Sequence, residues 1–251
     1  MKFRTMDDLK LWLKIHEKYN FDGGSQGKCY RIGNKVFKIF IQFIEDDEDD
    51  MIVYDQDEIL KFSSVVNNTY IFPNDVIMVG DLVVGYITDY VDAISLYKIN
   101  LLDVEIDKFQ LGLEGATKDI EIISNNGILS YDVTYNILYG SCGFKVIDTM
   151  EYSRTDIDNV ELFRMNRERF YHEIRLFLID GYFDKFMKNN PDLYNMCYAP
   201  DVDFGMFLRE FRKRLSENEG YEISKLGDAK KSIVIRKRKY PKYIRELNEY
   251  S

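Results

Sequence analysis

The sequence predicts an α+β fold in two lobes, and three patterns predict it. The first third is β-rich, with short apolar runs broken by turn dipeptides. The remainder carries helical periodicity, except for an insert at residues 127–148 that returns to short apolar runs punctuated by Gly and Asn. Strands gathered in one part of the chain and helices in the other argue for α+β rather than alternating βαβ units. The division falls after residue 91, giving a β-rich lobe over 1–91 and a helical lobe over 92–251.

The elements follow in order. Residues 6–19 place apolar side chains at Leu9, Leu11, Trp12, Leu13 and Ile15, an amphipathic helix with a broad apolar face. A glycine cluster follows, and then two apolar runs, Cys29 to Ile32 and Val36 to Phe40, separated by Gly33-Asn34, predict a β-hairpin. Residues 56–66 read as a helix. Residues 71–90 give two or three strands, with a turn at Gly80-Asp81. From Ala93 the pattern is helical, and 160–180 and 204–215 are strong helices. No internal repeat is visible.

Composition narrows the function. The 251 residues are 45% hydrophobic and 31% charged, ordinary for a globular chain with a real core. A net charge of -9 argues against a dedicated nucleic-acid binder, which needs a broad basic surface. The three cysteines, Cys29, Cys142 and Cys197, are odd in number and far apart, so neither a disulfide framework nor a zinc spacing is present. No run approaches the ~18 apolar residues of a membrane span, and residues 1–19 lack a signal-peptide pattern. The expectation is a cytoplasmic protein with no membrane partner.

The stretch FDGGSQGKCY, residues 21–30, satisfies G-x-S-x-G around Ser25, the pattern of a hydrolase nucleophile elbow. The elbow lies between a strand and a helix. Here the order is helix, glycines, hairpin, and the triad partner His172 falls in a predicted helix, so that reading is set aside. A loop over nucleotide phosphates fits better. Such a loop needs glycines for close backbone approach, a cation within reach, and carboxylate and amide oxygens for Mg²⁺. Gly23, Gly24 and Gly27 supply the first. Lys38 follows within VFKIF, where apolar neighbours predict burial and hence a carboxylate partner. Glu58, twenty residues on (58 - 38 = 20) in the helical segment DQDEILKF, is the natural candidate. Farther on, Asp132 and Asn136 flank a tight loop, and Asp148 closes the run FKVID; together they suit a magnesium site built from oxygen ligands.

Taken in order, these motifs resemble the protein-kinase-like superfamily. GGSQGKCY is similar to its glycine-rich loop, with Asp22 where the first glycine stands. VFK places Lys38 at the phosphate lysine with Glu58 as its helix partner. SYDVTYNIL resembles the catalytic loop, and VIDTM the metal-binding D-F-G. YITDYVDAISL resembles the hinge, with Thr88 at the gatekeeper position. The resemblance spans about residues 21–152. It implies that the backbone of Asp89 and Val91 binds the adenine edge of ATP, and that Cys29 and Leu138 sandwich its ring. It further implies that Asp132 is the catalytic base and that Asn136 and Asp148 hold Mg²⁺.

The chain departs from that pattern at defined places. Ser130 and Tyr131 stand where His and Arg are usual, and Asn136 follows Asp132 by four residues rather than five (136 - 132 = 4). Thr149 and Met150 replace Phe and Gly, and no A-P-E or long activation segment follows. The resemblance is thus to short bacterial kinases and to the aminoglycoside and choline phosphotransferase branch. It implies transfer of a γ-phosphate to the hydroxyl of a protein or a small molecule. The alternative is a pseudokinase, a nucleotide- or partner-binding module without catalysis. Two charge runs stand outside this reading, six acids at 45–50 and a basic tail over 229–250. Both read as solvated segments, the tail alternatively as an arm for an acidic partner.

Overall fold

The computed structural model describes residues 1–24, 26–44, 52–179, 182–199 and 201–234. The acidic run at 45–50, and the tail from 235 on, lie outside the described residues. The architecture is mixed α and β: a six-stranded sheet, two smaller sheets and seven α-helices among the described residues.

The large sheet is built from β1 (Lys2–Phe3), β2 (Asn20–Gly24), β3 (Gly27–Ile32), β4 (Lys35–Phe40), β5 (Asp75–Val79) and β6 (Leu82–Asp89), in the spatial order β1-β5-β6-β4-β3-β2. β1 joins β5 in parallel and every other pairing is antiparallel. The predicted hairpin is β3–β4, turning at residues 33–34, and a second is β5–β6, turning at residues 80–81. β5 begins only at Asp75, because Pro73 has no N–H to donate to a ladder.

Helix α1 (Met6–His16) packs on this sheet. Thr5 caps it reciprocally with Asp8: the Asp8 N–H donates to Thr5 Oγ1 at 3.2 Å and the Thr5 N–H to Asp8 Oδ2 at 3.0 Å. Residues 17–19, expected to prolong it, tighten into a 3-10 turn. Leu9 and Leu13 bury against Tyr30, Ile39, Phe40, Ile77, Val84 and Ile87, and this set forms one of two apolar clusters.

Helix α2 (Gln56–Leu60) is far shorter than the predicted 56–66. Ser63, Ser64, Asn67 and Asn68 compete for backbone hydrogen bonds, and Val65-Val66 is β-branched, so the helix dissolves into turns. The helical pattern expected from Ala93 also begins otherwise. β7 (Ala93–Ser95) pairs with β9 (Ile137–Gly140), which pairs with β10 (Gly143–Val146), a partnership across more than forty residues that local periodicity does not show.

The second apolar cluster is helical. It gathers α3 (Ile106–Asn125), α4 (Asn159–Leu178), α5 (Asp184–Lys188), α6 (Pro191–Cys197) and α7 (Phe204–Glu219) around Phe109, Phe170, Phe177, Phe183, Phe207 and Phe211, all buried. Each such phenyl ring contributes roughly 1.5–3 kcal/mol. A short ladder of β8 (Ile128–Leu129) with β11 (Ser153–Arg154) lies over it.

A strap ties the two clusters together. Residues 69–71 run beside β10: the Val146 N–H donates to the Thr69 carbonyl at 2.7 Å and the Ile71 N–H to the Val146 carbonyl at 2.9 Å. Thr149 Oγ1 donates to the Ile71 carbonyl at 2.9 Å, and buried Asp119 of α3 accepts from Thr69 Oγ1 at 2.6 Å. The chain that enters β5 is thereby fixed to the chain that leaves β10. On the other side of the insert, fully buried Asn166 accepts from the Ser130 N–H and from its Oγ, both at 2.9 Å. Its amide donates to the Ile128 carbonyl at 2.8 Å and to Ser124 Oγ at 3.0 Å.

Two substitutions test these features. A Cβ at Gly85 would meet the Lys38 carbonyl oxygen at 2.2 Å, so Gly85→Ala must push β4 and β6 apart. We expect a loss of about 2 kcal/mol or more in urea unfolding. Asn166→Ala strands several buried polar groups at once and should cost about 2–4 kcal/mol by the same measurement.

Candidate active site

The site begins at Lys38, in β4 opposite Cys29 on one side and Tyr86 on the other. Its neighbours crowd in: a Cβ at Gly27 would meet the Ile39 carbonyl at 2.3 Å, as one at Gly85 would meet that of Lys38. The strands on both sides of β4 therefore approach as only glycine allows. The Lys38 side chain is 12% exposed, and its Nζ lies 2.5 Å from Asp148 Oδ1. Gln26 Oε1 is 3.4 Å from the same nitrogen.

The carboxylate expected for Lys38 was Glu58, and the structure corrects this. Glu58 is 69% exposed and pairs with Lys61, one helical turn away. With α2 only five residues long, its first turn is held by the Asp55 cap on the Glu58 N–H, and the Glu58 side chain meets its own helix neighbour. Tyr86 stands beside Lys38 instead. Its hydroxyl donates to Asp148 Oδ1 at 3.0 Å, and its ring lies 5.6 Å from Lys38 Nζ. Burial, and then the charge of Asp148, holds this phenol well above its usual pKa, so it remains a donor.

Asp148 and the loop of residues 130–136 meet at the base of the β9–β10 hairpin. Ile137 faces Val146 in that ladder, and one step further out the Ile147 N–H donates to the Asn136 carbonyl at 3.0 Å. Asn136 and the residue preceding Asp148 are thus backbone neighbours. The Asn136 amide Nδ2 donates to the Asp132 carbonyl at 2.8 Å, and the Asn136 N–H to the Val133 carbonyl at 3.1 Å, which closes the loop. Asp132, Tyr135 and Asp148 have φ of 37°, 64° and 58°. These are the positive-φ non-glycine residues among those described, and all three lie in this cluster. Such a conformation costs ~1–3 kcal/mol per residue and persists only where surroundings enforce it.

The enforcement comes from α4, whose contributions the sequence reading missed. Besides Asn166, Arg169 donates to the Ser130 carbonyl and lies 5.1 Å over the Tyr131 ring. Ser130 is fully buried between them. The only sequence signal was the helical spacing of Asn166 and Arg169 (169 - 166 = 3), which puts both on one face. Asp132 itself is exposed, and among the described residues no side chain bonds to its carboxylate.

The residues that could hold a magnesium ion here are Asp148 and Asn136. Asp148 spends Oδ1 on Lys38 and Tyr86, and its Oδ2 has no hydrogen-bond partner among the described residues. Asn136 spends its amide nitrogen on the loop, and its side-chain oxygen has no hydrogen-bond partner among the described residues. Mg²⁺ is commonly held by one or two protein oxygens together with phosphates and waters. The described residues contain no cluster of three or more His, Cys, Asp or Glu of the kind a caged metal needs.

The remaining predicted residues are spread around this centre. Gly23 and Gly24 pair in β2 with Lys28 and Gly27, and Ser25 lies outside the described residues. His172, the triad partner of the discarded elbow reading, is inside α4. Asp89 ends β6, its carboxylate 2.6 Å from Lys35 Nζ, and the Val91 carbonyl accepts from the Ala93 N–H at 3.0 Å. Cys29 on β3 and Leu138 on β9 are both half-buried. Two surface hollows, about 350 and 450 Å³, include none of Lys38, Asp132 and Asp148: one lies beside Lys98 and Tyr139, the other beside Asp184 and Tyr194.

No described helix is long and apolar enough to cross a membrane. No protein-family profile matches the chain, and no curated protein matches it. Among solved structures, the Lpg2603 kinase of Legionella pneumophila, determined bound to IP6, aligns over 94% of this chain and 80% of its own. The identity is 12% and the TM-score 0.38, a likeness too loose to assign a family.

Proposed function

We propose that this chain is an ATP- and Mg²⁺-dependent phosphotransferase with a two-lobed, protein-kinase-like plan, acting on a hydroxyl of a protein or a small molecule. One observation carries the reading. Lys38, from the large sheet, meets Asp148, from the foot of the β9–β10 hairpin, and Asn136 and exposed Asp132 lie on the loop bonded beside it. A half-buried lysine facing a carboxylate, next to a second carboxylate that no side chain among the described residues bonds, on a strained loop, is the charge arrangement that phosphoryl transfer needs.

In this reading Lys38 turns from Asp148 to the α- and β-phosphates. Asp148 and Asn136 would hold Mg²⁺, which would neutralise phosphate charge when bound. Asp132 accepts the proton of the acceptor hydroxyl while that oxygen bonds to the γ-phosphorus. The bond from γ-phosphorus to the bridging oxygen breaks, and ADP leaves with the electron pair. Tyr86 keeps Asp148 oriented throughout. Most of the rate gain is positioning and electrostatics. Cys29, Cys142 and Cys197 form no disulfide among the described residues, in keeping with the reducing, cytoplasmic setting we assign.

A second reading, nucleotide binding without transfer, draws on one observation: Glu58 is engaged with Lys61 and leaves Lys38 without a helix carboxylate. Transfer of labelled γ-phosphate separates the two. We expect wild-type protein to transfer label in the presence of Mg²⁺. Asp132→Ala should lose at least ~100-fold in turnover and keep its affinity for ATP within about threefold, as befits a group acting on the acceptor. Equal transfer by the variant removes Asp132 from its role. ATP binding with no transfer by either protein favours the second reading.

A further inference from the structure

Glu173 of α4 is 2% exposed, in a stretch of helix whose neighbours Phe170, Ile174 and Phe177 belong to the apolar core. Among the described residues it has no ion-pair partner. Its two oxygens accept from two hydroxyls instead: Thr134 Oγ1 donates to Oε1 at 2.9 Å, and the Tyr97 hydroxyl donates to Oε2. A buried carboxylate without a cation is costly, and replacing such groups with apolar ones often stabilises a protein. Stability alone therefore gives no reason for an acid at this position.

Its contacts supply one. Thr134 lies in the loop between Asp132 and Asn136, and Tyr97 lies just after β7, in the segment that follows β6. Asn166, Arg169 and Glu173 occupy one face of α4, at spacings of three and four residues (169 - 166 = 3; 173 - 169 = 4). The first two hold the loop at Ser130, and Glu173 holds it at Thr134. Asp132, with its left-handed backbone, stands between these two anchors. Tyr135, also left-handed, packs its ring 4.9 Å from that of Tyr97. The Tyr97–Glu173–Thr134 chain thus links the loop to the segment beyond β6.

We propose that Glu173 is a positioning residue that sets the place of Asp132 through Thr134, and ties it to the segment following β6 through Tyr97. Its effect on turnover rests on the phosphotransferase reading; its hold on the loop does not.

Thr134→Val deletes one donor and keeps the residue's size, Thr134→Ser keeps the hydroxyl, and Glu173→Gln keeps the shape of the acceptor. Amide hydrogen exchange over residues 130–136 and steady-state phosphate transfer would be measured on the whole chain for each. Thr134→Val should exchange roughly tenfold faster in that loop, the effect of one lost hydrogen bond to a carboxylate. Its kcat should fall about 10- to 100-fold, with KM for ATP within about twofold. Thr134→Ser should restore both. Glu173→Gln should loosen the loop and slow transfer in the same direction, and the double variant should lose clearly less than the product of the two, because both act on the Glu173–Thr134 link. Wild-type loop exchange in Thr134→Val, or effects of the two substitutions that multiply, overturns the proposal. If the wild type transfers no phosphate yet the loop still loosens in Thr134→Val, the phosphotransferase reading falls and the positioning role stands.

Discussion

The pairing of Lys38 with Asp148 makes two apolar clusters into one candidate site. Its partners lie 110 positions apart, at a nitrogen–oxygen distance of 2.5 Å. Neither group can be left half-buried alone without losing water it does not replace. Everything around the pair enforces the contact. Glycines at 27 and 85 let strands close on both sides of β4, Tyr86 shares the same carboxylate oxygen, and the strap at 69–71 sets the height of the hairpin that ends in Asp148. The left-handed backbone at Asp148 is sustained by these contacts.

Helix α4 plays the complementary part from the other side. It places three polar side chains where an ordinary core helix has apolar ones: Asn166 and Arg169 at Ser130, Glu173 at Thr134. Buried polar groups are expensive unless fully bonded, and once bonded they specify geometry more narrowly than apolar packing does. A loop with two left-handed residues in five positions needs that kind of specification. Ser130 and Tyr131 are held in the same way. Asn166 takes the Ser130 backbone and hydroxyl, and Arg169 takes the Ser130 carbonyl and covers the Tyr131 ring.

What could be read from the sequence was what is local. The β3–β4 and β5–β6 hairpins announce themselves by alternating runs around turn dipeptides, and α1 by its apolar stripe. The burial of Lys38 was legible because apolar residues flank it; its partner was not. Glu58 was the natural candidate in a helical segment, but spacing along the chain carries no information about a carboxylate 110 residues away. The same limit hid β7, whose pairing with β9 is long-range, and the roles of Asn166, Arg169 and Glu173, which periodicity alone assigns to a helix without saying what they touch. The short α2 shows the opposite case: Ser and Asn at its end were visible, and their competition for backbone bonds outweighed helical spacing.

The central claim is that Lys38 and Asp148 act together on one magnesium–nucleotide complex. Calorimetric titration of Mg-ATP into wild type, Lys38→Met, Asp148→Asn and the double variant tests it most directly. The account predicts that each single substitution weakens binding by at least about tenfold, and that the double loses clearly less than the product of the two, because both act on the same ligand. Wild-type protein that takes up no Mg-ATP, or losses that multiply as they would for two independent sites, contradicts it.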